Sequence, residues 1–72
     1  MKLRKLIRIK KQELNENKYV FIVYFKGIDI INTTDKLTFE ELNQIIGLSL
    51  LDKEIIKHNL YDNKYFVIRL KG

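Results

Sequence analysis

Apolar side chains occupy every position from 19 to 25, a stretch that reads YVFIVYF. These residues are all β-branched or aromatic, which predicts a β-strand. Because successive side chains of a strand point to opposite faces of a sheet, this strand would be apolar on both faces. A strand of that kind is typical of positions buried on both sides. We expect Gly27 to bend the strand, which would continue to about residue 31.

Two periodicities compete in residues 2–14. As a strand, the segment places Leu3, Ile7 and Ile9 on one face and most of its basic side chains on the other. As a helix, it has an apolar stripe that Lys10 and Lys11 interrupt, and no side-chain N-cap precedes it. Residues 15–18, NENK, are typical of a turn, so we predict a strand that joins the next one in a hairpin.

A short helix is predicted over residues 39–46. Thr38 and Glu41 have the spacing of a capping box, in which each side chain bonds the other residue's backbone N–H. The apolar stripe consists of Phe39, Leu42, Ile45 and Ile46. Gly47 is expected to end the helix in a left-handed conformation.

The segment that follows has two interpretations. Ser49 and Asp52 resemble a second N-cap signature, which predicts a helix over residues 50–58. A strand over residues 54–61 is the alternative. After a turn at residues 61–64, residues 65–70 are predicted to form a strand whose inward-facing side chains are Phe66, Ile68 and Leu70.

These elements predict a single small α+β domain over residues 1–72, ordered β-β-α-α-β. A three-stranded, mainly antiparallel sheet would carry two short helices packed on one face. Such helices cover one side of the sheet, yet the strand at residues 19–25 is apolar on both. An apolar patch would remain in water, formed by Val20, Ile22 and Tyr24. We therefore predict a homodimer or a protein partner that covers these residues.

The net charge of +5 lies entirely in the N-terminal half of the chain. Residues 1–32 carry eight basic and three acidic side chains, whereas residues 33–72 carry six of each. No acid occurs in residues 1–11, where the basic residues are Lys2, Arg4, Lys5, Arg8, Lys10 and Lys11. Alternate side chains of a strand lie about 7 Å apart, close to the phosphate repeat of a nucleic-acid strand. We predict that these residues bind backbone phosphates; the alternative is that they protect an edge strand from association.

The helix, the turn Gly47-Leu48-Ser49 and the second predicted helix resemble the helix-turn-helix of bacterial and phage regulators. The packing positions of that motif fall on Leu42, Ile46, Gly47, Leu48 and Ile56. The resemblance covers about twenty residues and implies a DNA-reading helix that uses Ser49, Lys53 and Lys57. Two positions depart from the motif, since Lys53 replaces an apolar contact and Asn43 replaces a small residue. Because the second half of the chain has no net charge, we favour two helices that only cover a sheet.

Aromatic residues provide a further candidate surface, because exposed rings near basic side chains stack on nucleic-acid bases. The candidates are Tyr19, Phe21, Tyr24, Phe25, Tyr61, Tyr65 and Phe66. Tyr19 and Tyr24 lie on opposite faces of the strand, so they cannot stack on one ligand.

Catalytic chemistry is not predicted. The chain has no Cys, His58 is its only histidine and its three glycines are isolated, so we expect no metal, cofactor or small-molecule substrate. No apolar run predicts a membrane span or a signal peptide, and we expect a cytoplasmic protein. The sequence predicts a small basic nucleic-acid-binding protein, an accessory or regulatory factor. The alternatives are a protein-interaction module with an apolar sheet face and a helix-turn-helix regulator.

Overall fold

The computed structural model describes residues 1–14 and 16–72 of the chain. Its elements are α1 (Leu3–Glu13), β1 (Val20–Phe25), β2 (Ile28–Asn32), α2 (Phe39–Ile45), α3 (Leu48–Leu51), β3 (Ile55–Tyr61) and β4 (Tyr65–Leu70). The described strands form a four-stranded sheet in the order β2-β1-β4-β3. Two antiparallel hairpins, β1–β2 and β3–β4, meet where β1 runs parallel to β4. The predicted α+β class is confirmed, but the predicted three-stranded, mainly antiparallel β-β-α-α-β arrangement is wrong.

Helix α1 replaces the strand predicted at the start of the chain. Leu3, Leu6 and Ile7 are at most 2% exposed and form the stripe that the helical periodicity indicated. No side chain caps this helix. Instead, the N–H of Leu3 donates to the carbonyl of Lys53 at 3.0 Å. A distant segment therefore supplies the cap that the local sequence lacks, and the predicted strand is wrong for that reason. Within the hairpin turn predicted at residues 15–18, Asn15 lies outside the described residues.

Strand β1 confirms the strongest β prediction, but it ends at Phe25. Lys26 and Gly27 both have positive φ angles, 53° and 76°, and they form the two-residue turn of a hairpin. The following residues return alongside β1 as β2, with Val23 opposite Ile31. The prediction of one bent strand that continues to residue 31 is therefore wrong, because the left-handed pair reverses the chain.

The capping box of α2 is confirmed. The hydroxyl of Thr38 accepts from the N–H of Glu41 at 3.1 Å, and the N–H of Thr38 donates to the Glu41 carboxylate at 3.0 Å. Hydrogen bonding of the Glu41 carboxyl group with the backbone N–H of Thr38, and with its side chain, lowers the pKa of this carboxyl group. Gly47 does not end the helix in a left-handed conformation as predicted, because its φ of −70° and ψ of 151° are extended and it precedes α3.

Helix α3 consists of a single turn, and the helix predicted over residues 50–58 is wrong. The chain instead enters β3, so the alternative prediction of a strand in this segment is confirmed. β3 pairs with β4 along its length, with His58 opposite Ile68 and Leu60 opposite Phe66. The long-range ladder explains the outcome, since it satisfies the backbone of both strands. Ser49 lies inside α3 and is not its cap.

One hydrophobic core joins the described helices to one face of the sheet. It contains aromatic rings in edge-to-face contact, with the Phe21 and Phe39 centroids 4.9 Å apart and those of Phe39 and Phe66 5.0 Å apart. The core residues are Leu3, Leu6, Ile7, Tyr19, Phe21, Val23, Phe39, Leu42, Ile46, Leu51, Phe66, Ile68 and Leu70. The alternate side chains of β1 and β4 point away from this core. We call the side of the sheet that carries them the open face. Within residues 1–14 and 16–72, no helix has the length and hydropathy that a membrane crossing requires.

Candidate nucleic-acid interface

The six basic residues predicted to bind phosphates belong to α1 and its first flanking position. Because the buried stripe of the helix faces the sheet, their side chains occupy the remaining sides of the helix. A shallow hollow of about 150 Å3 is bordered by four of them, namely Lys2, Arg4, Lys5 and Arg8. The structure thus brings together on a helix the cations that the sequence placed on a strand.

Two of these six cations already have acidic partners. Arg4 donates from Nε and Nη2 to the Asp52 carboxylate, at 3.2 and 2.9 Å. This hydrogen bonding and the charge of Arg4 lower the pKa of the Asp52 carboxyl group. Lys10 lies 3.3 Å from Glu13, and its side chain is only 25% exposed. Among the described residues, no ion pair involves the other four, which are Lys2, Lys5, Arg8 and Lys11.

A groove separates α1 from α2 and α3 and has a volume of about 420 Å3. Its lining is Arg4, Ile7, Arg8, Lys11, Asn43, Ile46, Leu48 and Leu51. Cationic side chains of α1 therefore stand beside apolar side chains of the other helices. Leu48 is 75% exposed at this groove.

The second helix of the predicted helix-turn-helix, the one expected to contact DNA, does not form. Ser49 lies in α3, Lys53 lies in the turn that leads to β3, and Lys57 lies on β3 itself. Lys53 places its ammonium 4.7 Å from the centroid of the Phe25 ring, in a cation–π contact. The helix-turn-helix arrangement is wrong because its second helix is replaced by a strand.

The open face is organised in rows that run across β1, β4 and β3. Strand pairing defines a first row of Val20, Tyr65 and Tyr61. It defines a second row of Ile22, Val67 and Asn59. It defines a third row of Tyr24, Arg69 and Lys57. The β2 hairpin adds Asn32 beside Ile22 and Asp29 beside Tyr24.

Exposure differs along the apolar patch predicted on this face. Val20 is 7% exposed, whereas Ile22 and Tyr24 are half-buried. Tyr61 and Tyr65 are 51% and 36% exposed. A concavity of about 410 Å3 extends over the face and is lined by Tyr24, Gly27, Lys57, Asn59, Tyr61, Val67 and Arg69. The face therefore combines aromatic, aliphatic and cationic side chains.

Sequence reasoning missed the polar half of the open face. Lys57 and Asn59 join it only when β3 is a strand in register with β4. The available signal was alternation, since residues 65–70 place Tyr65, Val67 and Arg69 opposite the buried side chains. Of the aromatic candidates, Tyr19, Phe21 and Phe66 lie in the core, and Phe25 packs at its edge. Tyr24, Tyr61 and Tyr65 remain for the open face.

His58 lies on the helix-facing side of β3 and is half-buried. Burial lowers the pKa of its imidazole, and the nearby charge of Lys10 lowers this pKa further. The carboxylate of Glu54 lies 3.0 Å from the backbone amine of Met1. Within the described part of the chain, no group of three or more His, Cys, Asp and Glu side chains is placed to hold a metal ion. No protein-family model, curated protein or solved structure matches the chain.

Proposed function

We propose that this protein is a small, non-enzymatic nucleic-acid-binding protein, an accessory or regulatory factor, that contacts backbone phosphates through α1. The observation that supports the proposal is the hollow bordered by Lys2, Arg4, Lys5 and Arg8. Basic side chains gathered on one helix attract a polyanion, and each phosphate they neutralise releases counterions, which contributes to affinity. Arg4 alone of these four is paired with an acid among the described residues.

The shape of α1 limits what it contacts. The helix buries Leu3, Leu6 and Ile7 in the core, so its cations lie on its remaining sides. Between Lys2 and Lys11 the helix rises by roughly 13 Å at 1.5 Å per residue, which spans a few phosphates. Lysine and arginine contacts to phosphates position a protein on a nucleic acid but do not distinguish sequences. Binding through α1 is therefore expected to tolerate many sequences.

A salt titration tests this proposal. We would replace Lys2, Lys5 and Arg8 by Gln and measure affinity for duplex and single-stranded DNA between about 50 and 200 mM salt. The matched control replaces Lys18, Lys36 and Lys71 by Gln, which removes the same charge from exposed positions outside α1. Arg4 is left intact because its pair with Asp52 joins α1 to the turn before β3.

The two triple variants are expected to differ in slope. In a plot of log affinity against log salt, the slope of the α1 variant should be shallower than that of the original protein. The expected decrease is roughly 0.9 for each lost phosphate contact to duplex DNA, or roughly 0.7 for single strands. The control should lower affinity slightly with an unchanged slope. Equal effects from both variants, or no binding by the original protein at low salt, would refute a role for α1.

Protein interaction through the open face is the second candidate function. It is supported by Ile22, Tyr24 and Val67, which remain partly exposed in the middle of a sheet face that no described helix covers. A homodimer or another protein would remove these side chains from water. Light scattering on the purified protein measures the mass directly, and a monomer at all accessible concentrations would argue against the homodimer.

A further inference from the structure

We infer that the open face binds single-stranded nucleic acid, with bases stacked on Tyr24, Tyr61 and Tyr65 and phosphates held by Lys57 and Arg69. The inference rests on the proposed function for the class of ligand, but it uses a different surface and names the form of nucleic acid. Tyrosine rings are suitable stacking partners because every base has a π-face.

The spacing of the rows matches an extended strand. Rows of side chains on one face of a sheet are about 7 Å apart, because each residue rises about 3.3 Å. Tyr61 and Tyr65 stand in the first row and Tyr24 in the third, so about 14 Å separates the aromatic rows. Ile22 and Val67 fill the row between them. Three consecutive bases can therefore lie on aromatic, aliphatic and aromatic side chains in turn.

Polar side chains on the open face stand where a nucleic-acid strand needs them. Arg69 and Lys57 are neighbours in the third row, beside Tyr24. The ammonium of Lys64 lies 5.1 Å from the centroid of the Tyr65 ring, which brings a cation to the first row. Asn59 offers an amide in the second row, where it can donate to and accept from a base edge.

The shape of the face favours bases that are free to leave a stack. A concavity of about 410 Å3 includes both Tyr24 and Tyr61 in its lining. This volume lies within the range of small-ligand pockets, roughly 300–1,000 Å3. The bases of a duplex are stacked on one another and cannot place their faces on protein rings without leaving the helix. The cost is lower for a single strand, whose bases are unpaired, so the face favours single strands over duplex.

Charge argues against a second copy of the chain as the occupant. A copy stacked on the open face would bury Lys57 and Arg69 against rows in which Asp29 is the single acid. Burying cations without partners is costly. Phosphates complement both cations, so an anionic strand satisfies the same face that a second copy leaves uncompensated.

Binding of oligothymidylate and oligouridylate, each about eight nucleotides long, tests the inference. The variants are Tyr61→Leu, which removes the ring, and Tyr61→Phe, which keeps it. Ile45→Ala is the control, because Ile45 is 57% exposed on α2 and lines neither the open-face concavity nor the groove beside α1. Amide NMR shifts of the unmodified protein with saturating oligothymidylate locate the contact without any substitution.

We expect Tyr61→Leu to weaken binding by about 5- to 100-fold, the range for the loss of one stacked base. Tyr61→Phe and Ile45→Ala should bind within about twofold of the original protein. Shifts should be largest in β1, β4 and β3 at the open-face positions. Unchanged binding by Tyr61→Leu, or shifts confined to α1, would overturn the inference.

The outcomes separate this inference from the proposed function. If the α1 triple variant changes the salt slope while Tyr61→Leu has no effect, the inference fails and the proposed function stands. If Tyr61→Leu weakens oligothymidylate binding while the α1 variant behaves as its control, the role of α1 fails and the open-face site stands. A concentration-dependent dimer that Tyr61→Leu dissociates would identify the face as an interface between copies and would refute the inference.

Discussion

The imidazole of His58 stacks on the ring of Phe66, with centroids 5.9 Å apart and planes within 8° of parallel. Phe66 is 3% exposed and in turn contacts the ring of Phe39 in the core. His58 therefore extends the aromatic cluster to the edge of β3. The contact places a titratable ring where burial and the charge of Lys10 both lower its pKa.

Stability is expected to fall as pH decreases, because burial and the charge of Lys10 lower the pKa of the His58 imidazole. The folded pKa of His58 lies below its ordinary value of 6.5, so the unfolded chain takes up the proton first as pH decreases. Above the pKa of the unfolded state, the contribution of His58 to the free energy of unfolding is fully present. This contribution is lost as the pH falls from the unfolded pKa toward the folded pKa. Urea denaturation over this range should show the loss, and His58→Phe should remove that part of the pH dependence. An NMR titration that places the folded pKa at or above 6.5 would contradict the prediction.

Loss of the Thr38 hydroxyl is expected to destabilise the protein. Thr38→Ala leaves the N–H of Glu41 without its acceptor at the start of α2, which costs about 1 kcal/mol of the free energy of unfolding. Thr38→Ser keeps the hydroxyl and should retain most of the stability. Thr34→Ala is the control in an exposed loop position. Equal midpoints in urea for the Thr38→Ala and Thr34→Ala variants would show that the cap contributes nothing.

The hairpin turn between β1 and β2 is expected to require glycine. Gly27 has a φ of 76°, and an added Cβ would meet no heavy atom within 4 Å. The cost of Gly27→Ala is therefore conformational rather than steric crowding by neighbours, and we expect about 1 kcal/mol. Gly47→Ala provides the comparison, because Gly47 has an ordinary φ of −70° and is equally uncrowded. If urea denaturation gives both variants the same stability, the left-handed turn is not a constraint.

Local signals predicted the elements whose determinants lie close together in the sequence. The spacing of Thr38 and Glu41 located α2, and the composition of residues 19–25 located β1. The start of α1 could not be located in this way, because the group that satisfies Leu3 is the distant carbonyl of Lys53. The turn at residues 26–27 was missed because Lys is an unusual residue for a left-handed position.

The α1 cations and the open face also differ in whether local sequence signals identify them. The cations of α1 are clustered within residues 2–11, so they could be identified without knowing whether the segment is a strand or a helix. The open face depends on the register of β1, β4 and β3, which places Tyr24, Arg69 and Lys57 in one row. Periodicity within a strand cannot supply that register, because pairing with other strands sets it.

The parallel contact between β1 and β4 has a consequence for the order of folding. Each hairpin closes on its own short turn, an event of about 1–10 μs, whereas Val20 meets Tyr65 only after most of the chain has been brought together. Pairing of the two hairpins through β1 and β4 is therefore expected to limit the folding rate. Substitutions at the β1–β4 contact should slow refolding. Substitutions in α2 that leave this contact intact should mainly accelerate unfolding.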